Sequence, residues 1–257
     1  MPFQVIPVID LMNGQAVHAV GGRRAHYRLI QSIFHPSCDP VPLARSLRQA
    51  LGFDTLYIAD LDAIAGSKPS LEIFREIIAS GFHLWIDAGV RDLDSTAPLL
   101  TLDQTSRKIV VGLETVHGPH ALADIIKRVG SNDIIFSLDL FEGQPRIAAP
   151  ASWGTEEPLE LARAAIDCGV HCLLILDLAR VGTGRGAGSS RLLAQIQTDH
   201  PSVMVCLGGG ITRIEEINEL RDSGASAVLV GSAIHDGRIG AQELACLEAG
   251  GGWGSIR

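Results

Sequence analysis

Ile9-Asp10-Leu11-Met12-Asn13-Gly14-Gln15 recurs later in the chain as Leu138-Asp139-Leu140-Phe141-Glu142-Gly143-Gln144. Two further matches follow at nearly the same spacing: Ile58-Ala59-Asp60-Leu61 with Ile175-Leu176-Asp177-Leu178, and Ala88-Gly89-Val90 with Gly209-Gly210-Ile211. Val111-Gly112 with Val230-Gly231 completes the series. Each half thus carries the same residue types in the same order: Asp, Asp, a glycine-rich run and Gly. One such agreement is common by chance, but four in register point to a unit written twice. The halves fall at about residues 1–130 and 131–245, with a glycine-rich tail to 257.

Every repeated segment ends a short apolar run. Eight such runs are visible: Val5–Ile9, 55–59, 83–86, 109–111, 134–138, 172–176, 203–207 and Ala227–Val230. They are nearly continuous in apolar residues rather than alternating, as expected of parallel strands covered by helices. Helical patterns lie between them at 41–51, Leu71–Ala79, 120–129, 159–168 and 214–223, several opened by proline and closed by glycine. Eight strands alternating with helices predict an α/β fold, a (β/α)8 TIM barrel of two fused half-barrels in one domain, 1–257. A doubly wound sheet would need a Gly-rich turn after its first strand, where this chain has Ile9-Asp10-Leu11.

Composition excludes other classes. Charged residues are 19% of the 257 and the net charge is −8, so a basic nucleic-acid surface is not expected. No apolar run nears the ~18 residues of a membrane span, and Met1-Pro2-Phe3-Gln4 does not read as a secretory leader. Five cysteines, an odd number, read as reduced thiols of a cytoplasmic protein. Cys168-Gly169-Val170-His171-Cys172 spans a helix end and a strand start, so its side chains diverge and no metal site is expected. No nucleotide or cofactor fingerprint occurs, and no cofactor is expected.

Barrel catalysis sits at the C-terminal ends of the strands. Asp10 and Asp139 end strands one and five, which face each other across an eight-membered ring. Such a pair suits proton removal by one group and donation by the other, although each could simply cap a loop. Gly209, Gly210, Gly231 and Ser232 end strands seven and eight, where bare amides make an anion nest. Gly89, Arg91 and Gly112 form the mirror position, with Asp87 an odd neighbour for phosphate; both glycine sets could instead serve tight turns. Thr183 could reach a reacting oxygen, and Arg185, Arg23 and Arg24 could meet phosphate. Trp153 could stack on a planar ring. The expected partner is a small phosphorylated substrate.

Taken in order, these segments resemble the ProFAR isomerase family, the duplicated half-barrels of histidine biosynthesis. The likeness runs from Pro7-Val8-Ile9-Asp10-Leu11 and Gly22-Arg23 through Phe136-Ser137-Leu138-Asp139, Trp153 and Gly182-Thr183 to Gly208-Gly209-Gly210-Ile211. It implies a cofactor-independent Amadori rearrangement of a bis-phosphorylated aminoaldose to an aminoketose. By position, Asp10 matches the base that removes the C2 proton. Asp139 matches the acid that opens the ring, helped by Thr183. The chain departs from the family's first phosphate loop, with Asp87-Ala88-Gly89 for Gly-Gly-Gly, and has Val181 where the family has Asp and His18 where it has Arg. Two alternatives follow: a paralogue for another phosphorylated metabolite, for example in one-carbon or pterin-type cofactor metabolism, or a phosphometabolite-binding protein without catalysis.

Overall fold

The computed structural model describes residues 3–183 and 189–249. Eight parallel strands pair in sequence order: β1 (Gln4–Met12), β2 (Thr55–Asp60), β3 (His83–Asp87), β4 (Arg107–Gly112), β5 (Ile134–Phe141), β6 (Cys172–Asp177), β7 (Met204–Gly208) and β8 (Ala227–Val230). β8 returns to β1, from Gln4 opposite Ala227 to Pro7 opposite Val230, and so closes the barrel. The helices that follow are α1 (Pro40–Leu51), α2 (Leu71–Ala79), α3 (Leu93–Thr96), α4 (Pro119–Val129), α5 (Pro158–Asp167), α6 (Ser190–Asp199), α7 (Ile214–Asp222) and α8 (Ala241–Ala249). The fold is the (β/α)8 barrel expected from the strand count.

Local chemistry explains the boundaries. Asp39 caps α1 by accepting the Val41 amide at 3.1 Å, Pro40 occupies the first turn, and Gly52 ends the helix in the left-handed region at φ 75°. α3 is a single turn, shorter than the seven other helices named above and absent from the sequence reading. An Asp92–Ser95 capping box starts it, and Pro98 follows too closely for a second α-helical turn.

The strands bury both faces, so their residues divide by parity. On β1, Val5, Ile9 and Leu11 pack under the helices, with Leu43, Leu47 and Phe74 in the same core. Ile6 belongs to a separate inner core, with Tyr57, Trp85, Val110, Ile135, Leu174 and Leu229. The two-residue period of a strand carries the inward phase on from Ile6 to Asp10, from Trp85 to Asp87 and from Ile135 to Asp139. Asp60 and Asp177 share the parity of the outward-facing Ile58 and Ile175. Parity therefore sorts the strand-end acids.

The halves also match in their loops. β1 continues past Asp10 into a hairpin with Gln15–His18, and β5 continues past Asp139 into one with Gln144–Pro145. Both turn through two left-handed residues: Asn13 (φ 53°) and Gly14 (71°) in the first, Glu142 (53°) and Gly143 (80°) in the second. Paired positive φ values are those of the tight turn that suits strand twist. The segment quoted first is thus the same backbone device in both places.

Candidate active site

A cavity of about 750 Å3 opens at the C-terminal ends of the strands. Asp10, Tyr57, Asp87, Glu114 and Asp139 line one part of it, and Gly209, Gly210, Gly231 and Ser232 line another. The expected acid pair and the expected anion cradle therefore share one chamber.

Asp139 is almost fully buried, at 3% exposure. The Ser137 hydroxyl donates to its Oδ1 at 2.5 Å and the Glu114 amide to its Oδ2 at 3.2 Å. Burial, then the charges of Glu114 and Asp87, hold its pKa well above the carboxylate range despite those two bonds. Gly112 makes this placement possible, because a Cβ there would stand 2.9 Å from Asp139 Oδ2. Asp10 is pushed up to about 7, first by burial and second by the Asp87 charge. Asp10 can thus gain or lose a proton near neutral pH, while Asp139 is held toward its protonated form. Burial and three neighbouring aspartates push the Tyr57 hydroxyl well above its ordinary value, so it stays a proton donor.

Asp60 and Asp177 serve the backbone. Asp60 accepts the amides of Ala63 at 3.2 Å and Ser70 at 2.8 Å. Asp177 accepts those of Glu142 and Ala179, both at 3.1 Å, and lies 3.3 Å from the Arg180 guanidinium. These two acids are loop caps.

The two glycine-rich ends differ. Gly209 and Gly210 have φ of 103° and 76°, and a Cβ on Gly209 would meet the Asp177 carbonyl at 2.7 Å. Only glycine lets this turn approach so closely. Beside it, the Arg238 guanidinium lies 3.5 Å from the Ser232 hydroxyl and 2.6 Å from Asp236, a cation that sequence reasoning missed. At the mirror end, the Gly89 amide donates to Asp87 Oδ1 at 3.2 Å. Arg91 turns back, giving Nη1 to the Gly89 carbonyl at 2.6 Å and Nη2 to the Ile64 carbonyl at 2.7 Å. Its guanidinium is spent on the loop.

Other expected residues stand elsewhere. Trp153 is buried against Phe136 with ring centroids 5.7 Å apart, and it does not line the cavity. Gly112 lies behind Asp139 rather than on the cavity wall. Thr183 is exposed at the rim, its hydroxyl donating to the Arg180 carbonyl at 2.7 Å. Arg23 is exposed as well, while Arg185 and the side chain of Arg24 lie outside the described residues. Among the described residues, no group of three or more His, Cys, Asp or Glu side chains is arranged to hold a metal ion. Likewise, no described helix is long and apolar enough to cross a membrane.

The loop after β1 reaches across the mouth. Gly21 donates its amide to the Val181 carbonyl at 2.8 Å, and Gly22 lies against Phe141 and Leu178. Gly182, with φ 67°, fits beneath the Ala19 carbonyl. Elements from both halves thus cover the chamber.

Residues 4–240 match the family described as histidine biosynthesis protein. The chain belongs to this family. Among its relatives is an uncharacterised protein of Methanocaldococcus jannaschii, 30% identical over 94% of this chain and 97% of its own length. Two others bear the name 1-(5-phosphoribosyl)-5-((5-phosphoribosylamino)methylideneamino)imidazole-4-carboxamide isomerase, which is ProFAR isomerase. The Methanosarcina acetivorans protein is 28% identical over 93% of this chain and 95% of its own length. The Thermus thermophilus protein is 29% identical over 93% and 97%. Family membership covers both repeated segments and both glycine-rich ends.

Proposed function

We propose that the protein is a cofactor-independent aldose–ketose isomerase of this family, acting on a phosphorylated amino sugar. The observation that carries the reading is the pair Asp10 and Asp139. They end opposite strands of one cavity, and both are shifted upward in pKa. In an Amadori step, protonation of the ring oxygen breaks its bond to C1 and leaves a protonated imine. Removal of the C2 proton then gives an enolamine, which gains a proton at C1 as its C2 hydroxyl becomes a carbonyl. No net electron or atom is added. Asp139, the deeper group, suits the first donation, and Asp10, poised near 7, suits the C2 proton. Thr183 would assist only after its hydroxyl leaves the Arg180 carbonyl. A substrate phosphate would rest on the amides of Gly209, Gly210, Gly231 and Ser232. The proposed partner is one small phosphorylated molecule, bound within the cavity at the strand ends.

Incubation of the purified protein with ProFAR, following ketose formation, tests this reading. Turnover that falls in Asp10→Asn and in Asp139→Asn supports it, and turnover indifferent to both changes refutes it.

A second reading has its own observation. The Gly89 amide, needed by a second phosphate, already donates to Asp87. That favours a paralogue whose substrate carries one phosphate. Failure to restore growth of a histidine-requiring strain lacking the isomerase would support it, and robust growth would sink it.

A further inference from the structure

We infer that Cys172, Cys206 and Met204 form a three-sulfur binding site for a soft monovalent cation, of the class of Cu(I), in the floor of the barrel. The site lies toward the N-terminal ends of β6 and β7, away from the chamber at the other end of the strands. It stands independently of the isomerase reading.

Strand geometry gathers the sulfurs. Cys172 and Cys206 belong to the inner core, with Val110, Leu174 and Leu229, and Met204 packs against that core. Cys172 stands opposite Met204 in the register of β6 on β7, and Cys206 is two residues along β7 from Met204, on the same face. The two thiols are 4% and 2% exposed, and their Sγ atoms are 3.9 Å apart. That spacing suits a bridging ion better than a covalent bond. A disulfide needs its sulfurs at about 2.05 Å, and these cysteines are diagonal rather than opposite, since Cys206 pairs with Leu174. An ion about 2.3 Å from each sulfur, the ordinary thiolate distance, would subtend roughly 115° across the 3.9 Å gap. That is close to the trigonal angle and leaves one position for the Met204 thioether.

Donor chemistry narrows the ion. Among the described residues, no His, Asp or Glu joins the pair in a metal-holding group. Two thiolates and a thioether are soft donors, which select Cu(I), whereas structural zinc takes four ligands. Cys172 is held below the ordinary thiol value, first by the hydrogen bond from Cys206 and then, against burial, by the Lys108 ammonium. That ammonium shares the inward phase of Val110 on β4 and also donates to the Asn132 carbonyl at 2.5 Å. A monocation on two thiolates leaves a single negative charge, which Lys108 matches; a divalent ion would leave none. The two thiol protons pass to solvent on binding. Met204 and Lys108 are only half-buried, so the floor is open beside the pair.

The test uses the full-length chain, reduced and free of oxygen, with Cu(I) supplied as its bathocuproine disulfonate complex. A background variant, Cys38→Ser with Cys168→Ser and Cys246→Ser, removes the three other thiols. Both the unaltered and the background protein should withdraw one Cu(I) per chain from the chelator, and X-ray absorption should show sulfur-only coordination. In that background Cys206→Ser should abolish retention. Met204→Leu, a volume-conserving change, should weaken it at least about tenfold. Circular dichroism without copper shows whether each variant is folded. Should Cys206→Ser fail to fold, Met204→Leu and the absorption spectrum decide alone. If the background protein leaves Cu(I) with the chelator, any binding by the unaltered chain is adventitious and the inference falls. It falls equally if Met204→Leu keeps full affinity, or if the bound ion shows nitrogen or oxygen neighbours.

Discussion

Asp10 shows how one residue links stability to function. Its pKa is about 7 in the folded chain against 3.8 for a free side chain. A raised carboxyl pKa means that the folded state holds a proton the unfolded chain has released, so stability is lost as pH rises through that interval. Each pKa unit corresponds to about 1.36 kcal/mol, so ionising Asp10 costs the fold up to roughly 4 kcal/mol. Asp10→Asn is therefore expected to raise the melting temperature at pH 7.5, with the gain vanishing near pH 4. A thermal melt series across that range checks this; equal melting temperatures throughout would contradict it. The second cause of the shift is testable too. Asp87→Asn removes a neighbouring charge, so the Asp10 carboxyl signal in a carbon NMR titration should move to lower pH. Much of this was legible in advance, since strand-end position and the repeat singled out both aspartates and marked Asp87 as anomalous. The caps Asp60 and Asp177 were separable only by parity, which needs exact strand phase. Tyr57 and Arg238 gave no signal because their roles come from contacts across 30 residues to Asp87 and 6 to Ser232.

At the scale of elements, close approach governs the site more than side-chain chemistry does. Gly112 on β4 yields space to the Asp139 carboxylate, so Gly112→Ala should displace that group. We expect a loss of about 1–3 kcal/mol in stability from overpacking, and a drop in turnover out of proportion to it. Parallel urea unfolding and kinetics separate the two. Gly182 is the matching test of the cover over the mouth. A side chain there is strained at positive φ by roughly 1–2 kcal/mol and collides with the Ala19 carbonyl. Gly182→Val should expose the loop after β1 to limited proteolysis while the barrel stays folded; an unchanged cleavage pattern would argue against the contact. The sequence marks these glycines, but not their partners. Trp153 illustrates the converse, because a tryptophan in a loop looks available for stacking until the Phe136 core beneath it is known.

At the scale of the whole molecule, two similar halves have acquired different ends. We read the chain as fused half-barrels in one domain, since the paired hairpin turns and the paired Asp, Asp, Gly-rich, Gly strand ends recur in order. The fold and the proposed catalytic pair follow from that repeat. The asymmetry follows from Asp87, where the second half has glycine. A net charge of −8 is compatible with an anionic ligand where the backbone of Gly209, Gly210, Gly231 and Ser232 lines the chamber. The rate of ketose formation from ProFAR as a function of pH, in the unaltered protein and in Asp10→Asn and Asp139→Asn, bears most directly on the proposed proton-transfer pair. A rise in rate through about pH 7 as Asp10 ionises, with a loss of about 10^2- to 10^4-fold in each variant, is the expected outcome. A rate that is flat across that interval, or that survives either substitution, would contradict it.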